Sequence, residues 1–171
     1  TALGAATLLF GCIGPASPVQ AQDITTGLVG HWEFDGDYTD SIGANDGSVI
    51  GDTTIIDGRV GSGAVYFDGD NDGVDFGDVT IMDGLGQATY CLWVKTSMVL
   101  STETISVLRK DLSFNAFQYS PANGGWRTVL FTPSFIATNV YSEDIVDTNG
   151  TWQHFCSVYN GANLTLYKNG Q

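Results

Sequence analysis

Two runs of aromatic and β-branched residues separated by an Asn-Gly pair end the chain: Trp152-Gln-His-Phe-Cys-Ser-Val-Tyr159, then Asn160-Gly161, then Ala-Asn-Leu-Thr-Leu-Tyr-Lys168. Asn and Gly tolerate the positive φ angles of a two-residue type I′ turn, so this stretch predicts a β-hairpin. A similar run, Ala88-Thr-Tyr-Cys-Leu-Trp-Val-Lys95, predicts a strand of the same kind. Further strands are expected over 104–109, 114–119 and 126–132, with 133–150 as a longer polar surface loop. Turn signals recur at roughly ten-residue spacing, which is the rhythm of a sandwich or barrel. No window carries a sustained 3.6-residue apolar period, and 22 Gly stand against 4 Pro. The expected fold class is all-β, an antiparallel β-sandwich.

Residues 1–22 combine an apolar run with helix breakers and small residues, and read as a signal peptide lacking its basic start. Val19-Gln20-Ala21 sets small residues for cleavage before Gln22. Leu9-Phe10-Gly11-Cys12 is a loose lipobox that would instead make Cys12 a lipid-anchored N-terminus. The run is too short for a transmembrane span and is broken by Pro15 and Pro18. The chain is therefore expected to be secreted or held at the cell surface. Its 19 acidic residues against 6 Lys and Arg give a net charge of -13, and no cation precedes Arg59. Such a balance repels nucleic acid and anionic membrane. It suits either a solubilising surface or cation binding.

The acids cluster. Gly27–Asp35 reads as a first strand that ends in the loop Asp35–Gly47, rich in Asp and Asn. Gly58-Arg-Val-Gly-Ser-Gly-Ala64 superficially resembles a phosphate-cradling loop, but no Lys-Ser/Thr follows and no helix opens, so turn geometry explains its glycines. A second strand is expected at Ala64–Asp68. Beyond it, Asp68-Gly-Asp-Asn-Asp-Gly73 matches the first half of an EF-hand loop, whereas Val79 occupies the twelfth position that needs a bidentate Glu. Two readings stand for it: calcium on Asp68, Asp70 and Asp72, or an ordinary acidic hairpin turn. At the other end, Asn169-Gly170 is a second turn with no strand after it, so the domain is expected to be cut short at its C-terminus.

Together, Trp32-Glu-Phe-Asp35, Asp40-Ser-Ile-Gly-Ala-Asn-Asp-Gly47, Gly63-Ala-Val-Tyr-Phe-Asp-Gly69, Leu92-Trp-Val-Lys95, Trp152-Gln-His154 and Tyr159-Asn-Gly161 through Gly170 resemble a laminin-G-like (LamG) jelly-roll domain of the concanavalin A-like superfamily, over residues 27–171. Thr89-Tyr-Cys-Leu92 and His154-Phe-Cys156 are similar to the pentraxin pattern, in which two strands carry bridged cysteines. That resemblance implies a Cys91–Cys156 disulfide, suited to an exported protein and worth roughly 4 kcal/mol by chain entropy. The pentraxin calcium segment would fall at Arg109–Leu112. Asp111 matches it and Leu112 offers no oxygen, so the fold and the disulfide carry over and the ligand chemistry does not.

An enzyme of the same superfamily, a retaining β-glucanase, needs Glu-x-Asp-x-x-Glu along one strand. Glu33-Phe-Asp35 begins that pattern, with both carboxylates expected on one strand face, and Tyr38 stands where the third acid belongs. His31 and His154 are the only histidines, and no Gly-x-Ser-x-Gly elbow occurs. His154 is expected to be a packed structural residue. Trp93, Trp126 and Trp152 would stack sugars only where they are exposed; otherwise they are core. Asn149-Gly-Thr151 and Asn163-Leu-Thr165 are glycosylation sequons. The resulting expectation is a secreted, non-catalytic recognition module for carbohydrate or an extracellular protein, with calcium ordering its acidic loops. A glycoside hydrolase fragment and a structural spacer of a larger adhesin are the alternatives.

Overall fold

The computed structural model describes residues 25–83, 85–96, 104–110, 114–120, 125–131, 137–141 and 150–171. The leader, Cys12, Asp111 and Asn149 lie outside the described residues. In chain order the strands are β1 (Ser48–Ile50), β2 (Thr54–Asp57), β3 (Gly63–Tyr66), β4 (Gly73–Asp75), β5 (Ala88–Lys95), β6 (Ile105–Lys110), β7 (Phe114–Ser120), β8 (Gly125–Phe131), β9 (Ala137–Tyr141), β10 (Trp152–Tyr159) and β11 (Leu164–Lys168). They form two small ladders, β1–β4 and β2–β3, and two larger antiparallel sheets in the orders β11-β10-β5 and β6-β7-β8-β9.

The period-two pattern decides which way each strand faces. Along β5, half-buried and exposed positions alternate at every residue, which marks a strand with one face on a core. Its inner face meets β10 through Phe155 opposite Leu92 and Ser157 opposite Tyr90. Phe155 packs on Trp126 of β8, with ring centroids 4.9 Å apart, and on Phe117 of β7 at 6.4 Å. Those rings and Tyr119 form the core, with Leu92, Val94, Leu108 and Leu166 against them. Each fully buried Phe contributes about 2–3 kcal/mol of apolar burial. Inside the same interface, Thr128 Oγ1 and Ser157 Oγ share a hydrogen bond of 2.6 Å. The two sheets therefore stack as a sandwich.

One lysine ties the approach to β5 onto the second sheet. Lys110, at the end of β6, donates from Nζ to Asp78 at 2.9 Å, to Asp83 at 2.7 Å and to the Val79 carbonyl at 2.7 Å. These partners bracket the short 3₁₀ turn Thr80–Met82, whose Met82 packs on the core. The two carboxylates raise the lysine's pKa, so the tether stays charged.

Several expectations change. The segment 27–35 is not a strand: Phe34 sits at φ 60°, which interrupts an extended run, and the N–H of His31 is taken by the Asp40 carboxylate at 2.9 Å rather than by a neighbouring strand. β1 and β2 arise between the acidic loop Asp35–Gly47 and the glycine-rich turn, where no strand was expected, and β9 arises inside the stretch read as a long surface loop. The Asp68–Gly73 turn closes no hairpin, because β3 pairs back with β2 while β4 pairs with β1.

The two Asn-Gly turns differ from each other. At the β10–β11 hairpin, Asn160 N–H donates to the Asn163 carbonyl at 3.1 Å and only Gly161, at φ 92°, is left-handed. The central pair is thus Gly161-Ala162, with the type II′ pattern. The type I′ pattern expected there belongs to Asn169 and Gly170, at φ 52° and 83°, with Lys168 and Gln171 exchanging both backbone hydrogen bonds.

Candidate functional site

The outer face of the β11-β10-β5 sheet gathers the chain's most chemically distinctive side chains. Antiparallel register sets Cys91 opposite Cys156, Trp93 opposite His154 and Lys95 opposite Trp152, all on the face turned away from the core. Cys91 and Cys156 are bonded, with α-carbons 4.1 Å apart and a sequence separation of 65. The link crosses between adjacent strands of one sheet, so it locks register rather than joining the two layers. Tyr167 of β11 flanks Cys156 from the other side.

Beside the disulfide the aromatic rings are partly open to solvent. Trp93 is 41% exposed and Tyr167 40%, whereas Trp126, at 4%, belongs to the core. Trp152 is half-buried. The three tryptophans considered as a platform therefore divide, with Trp93 and Trp152 on the outer face and Trp126 excluded. The His154 ring lies 5.0 Å from that of Trp93, and its Nε2 is 3.8 Å from Cys156 Sγ. Each of the two tryptophans also carries a cation: the Arg59 guanidinium carbon is 5.3 Å from the Trp93 ring centroid, and Lys95 Nζ is 5.8 Å from that of Trp152. Among the described residues neither cation forms a salt bridge. In so acidic a chain that is a local reversal of charge.

Arg59 reaches this face because of the acidic loop. Asp35 accepts the N–H groups of Ser62 at 2.7 Å and Gly63 at 2.8 Å, bonds that lower its pKa. The glycine-rich loop thus does cradle an anion, the protein's own carboxylate. Asp35 is consequently committed to the loop, and the left-handed Phe34 breaks the alternation that would have aligned it with Glu33. Glu33 faces His31 instead, at 3.4 Å. Tyr38 reaches the Thr53 carbonyl at 3.4 Å. The expected strand with two aligned carboxylates does not form.

The anticipated metal ligands are only partly brought together. Asp68 and Asp72 converge with Asp52, each offering an oxygen within 4.8 Å of the others, while Asp70 is absent from the cluster. Asp72 organises this corner by accepting the N–H of Asp68 at 2.7 Å and of Asp52 at 3.1 Å, and those bonds lower its pKa. Asp70 instead donates its backbone N–H to Asp68, at 2.8 Å. A local turn motif predicted a local ligand set; the third acid comes from the end of the neighbouring ladder, a pairing invisible at that spacing.

Sequence reasoning also missed Arg59. Its signal was its position as the first cation of the chain, set among glycines in an acidic half.

No curated protein matches this chain, and no solved structure does. Residues 67–171 match a laminin G family model described as the Concanavalin A-like lectin/glucanases superfamily. That match spans β4 to β11 and hence both large sheets, the disulfide and the core. With its stacked antiparallel sheets and most of its length within the match, the chain belongs to the concanavalin A-like lectin/glucanase superfamily.

Proposed function

We propose that this protein is an exported, non-catalytic recognition module that binds carbohydrate on the outer face of the β11-β10-β5 sheet. The observation that carries the reading is Trp93, a large aromatic held 41% exposed on a strand beside a second tryptophan and two cations that form no salt bridge among the described residues. Aromatic faces suit the apolar faces of sugar rings. Arg59 and Lys95 supply hydrogen-bond donors at the rim, and Arg59 presents a planar fork that suits vicinal hydroxyls or a carboxylate. Superfamily membership supports a lectin-like role, and a disulfide is at home in the oxidising compartments where such modules act. Calcium bound at Asp52, Asp68 and Asp72 would order the acidic corner as part of this reading.

Glycan-array screening followed by calorimetry tests the proposal. Binding lost in Trp93→Ala with the fold intact supports it, and loss on EDTA treatment assigns calcium a part. Binding to an extracellular protein but to no glycan would redirect the site to a protein ligand. Polysaccharide cleavage abolished by Glu33→Gln would replace recognition with hydrolysis, and neither binding nor turnover in the complete protein would leave a spacer role.

A further inference from the structure

The disulfide sits in a setting that gives its reduced form a second use. Sγ of Cys91, Sγ of Cys156 and Nε2 of His154 all lie within 4.8 Å of one another. His154 and Cys156 are two apart on β10 and so share a face, while Cys91 stands directly across on β5. Cys91 is exposed and the other two are half-buried, so the trio opens to solvent. Backbone pairing along β5 and β10, rather than the disulfide alone, sets these positions.

We propose that this trio is a redox-gated site for a thiolate-preferring metal ion such as zinc. In the oxidised protein both sulfurs are consumed in the bond and no site exists. A dithiol reductant opens it: its thiolate attacks the exposed Cys91 sulfur, the S–S bond breaks, and Cys156 leaves as a thiolate beside His154. The second thiol of the reductant then displaces Cys91, giving two protein cysteines and a cyclic disulfide, with two electrons and two protons transferred. Metal binding sends the two thiol protons to solvent and adds the Nε2 lone pair of neutral His154. Two thiolates and one imidazole suit a borderline-soft cation, and the solvent-facing side leaves the fourth tetrahedral position to water. Bound metal removes the thiolates from reoxidation, so the ion also stabilises the reduced state.

The test uses the chain with Cys12→Ser, so that only the two strand cysteines remain. After anaerobic reduction and removal of the reductant, cobalt(II) is titrated in and thiolate-to-metal charge-transfer absorption is followed, with zinc as competitor. The expected result is one cobalt per folded chain, no such band in the oxidised protein, and slower reoxidation in the presence of zinc. His154→Gln is expected to weaken binding by about 10-fold or more, since losing a direct ligand costs at least as much as losing an outer-shell partner, and Cys91→Ser to abolish the band. Loss of the β-sheet circular dichroism on reduction would overturn the proposal. So would a folded reduced protein without the band, or one in which His154→Gln binds cobalt as tightly as the parent.

Discussion

Asp35 Oδ1 accepts the N–H of Gly63 at 2.8 Å across 28 positions of sequence, fastening the acidic N-terminal loop to the glycine-rich turn before β3. The approach is so close that a β-carbon on Gly63 would strike the Phe34 carbonyl, and one on Gly61 would strike the Asp35 carboxylate. Glycines and acids that look like separate features of the sequence are therefore two halves of one joint. The same turn carries Arg59 over Trp93, so the joint reaches from the acidic loop to the outer sheet face.

Gly63→Ala should consequently destabilise the protein by about 2 kcal/mol or more, through steric conflict with backbone that has nowhere to retreat. Gly86→Ala is the matched control, since nothing lies within 4 Å of the position a β-carbon would take there. Urea denaturation of both variants should show a lower midpoint for Gly63→Ala and little change for Gly86→Ala. Equal midpoints would mean that the Phe34–Gly63 approach is loose in solution.

A second carboxylate holds the loop from within. Asp40, 6% exposed, accepts the N–H of His31 at 2.9 Å and of Ile42 at 3.2 Å through Oδ1, and that of Asn45 at 3.4 Å through Oδ2. Burial pushes its pKa up, but the backbone bonds from Gly43, His31, Ile42 and Asn45 together outweigh that and lower it to about 2. Because the folded value lies below the unfolded one, Asp40 stabilises the fold fully above about pH 4, and the contribution fades as pH falls through about 2. Asp40→Asn should remove that acid-dependent part and cost about 1–2 kcal/mol at neutral pH by weakening the charge-assisted bonds. Chemical denaturation repeated from pH 2 to 7 would reveal it as a gap between parent and variant that narrows on acidification. A constant gap would contradict the assignment.

What was legible in the sequence follows from how strongly each segment is one-sided. β5 and β10 alternate between a core face and an outer face, and their bounds match the expected strands residue for residue. β1, with every residue exposed, carries no such alternation, and its pairing with β4 depends on acidic turns folded by side-chain contacts. β9 lies in a polar stretch and is recruited by register with β8, which a local pattern does not encode. The disulfide came through the resemblance to a family pattern. The outer face was only half visible: Trp93 and Trp152 were named alongside Trp126, because sequence cannot distinguish a core tryptophan from an exposed one when both occupy aromatic strands. Arg59 and Asp52 depend on contacts between distant segments, and no spacing rule reaches them.

The polar bond at the centre of the sandwich yields a prediction about pairs. Thr128 and Ser157 are 1% and 3% exposed, and their hydroxyls meet at 2.6 Å. Ser157→Ala leaves the Thr128 hydroxyl buried without that partner, so a loss of about 1–3 kcal/mol is expected. Replacing Thr128 with Val as well removes the orphaned group, and the double variant should be less destabilised than the two single losses added together. A double-mutant cycle by thermal or urea unfolding measures that coupling. Strict additivity would show that the two hydroxyls do not depend on each other.

Trp93 and Trp126 provide the sharpest separation of stability from recognition, because they are chemically identical and differ in exposure, 41% against 4%. Trp126 packs against both Phe155 and Tyr119, so truncation to Ala leaves a cavity between the sheets. That change should cost about 3–5 kcal/mol. Trp93→Ala removes a ring that touches His154 and Arg59 on the surface, and its cost should stay near 1 kcal/mol, the scale of exposed ring and cation contacts. Intrinsic fluorescence then separates the roles: a stacking ligand should change the emission of the parent protein, and the change should vanish in Trp93→Ala while its unfolding midpoint stays close to the parent's. If Trp93→Ala unfolds as readily as Trp126→Ala, the outer face is a structural surface and the ligand must be sought elsewhere on the sandwich.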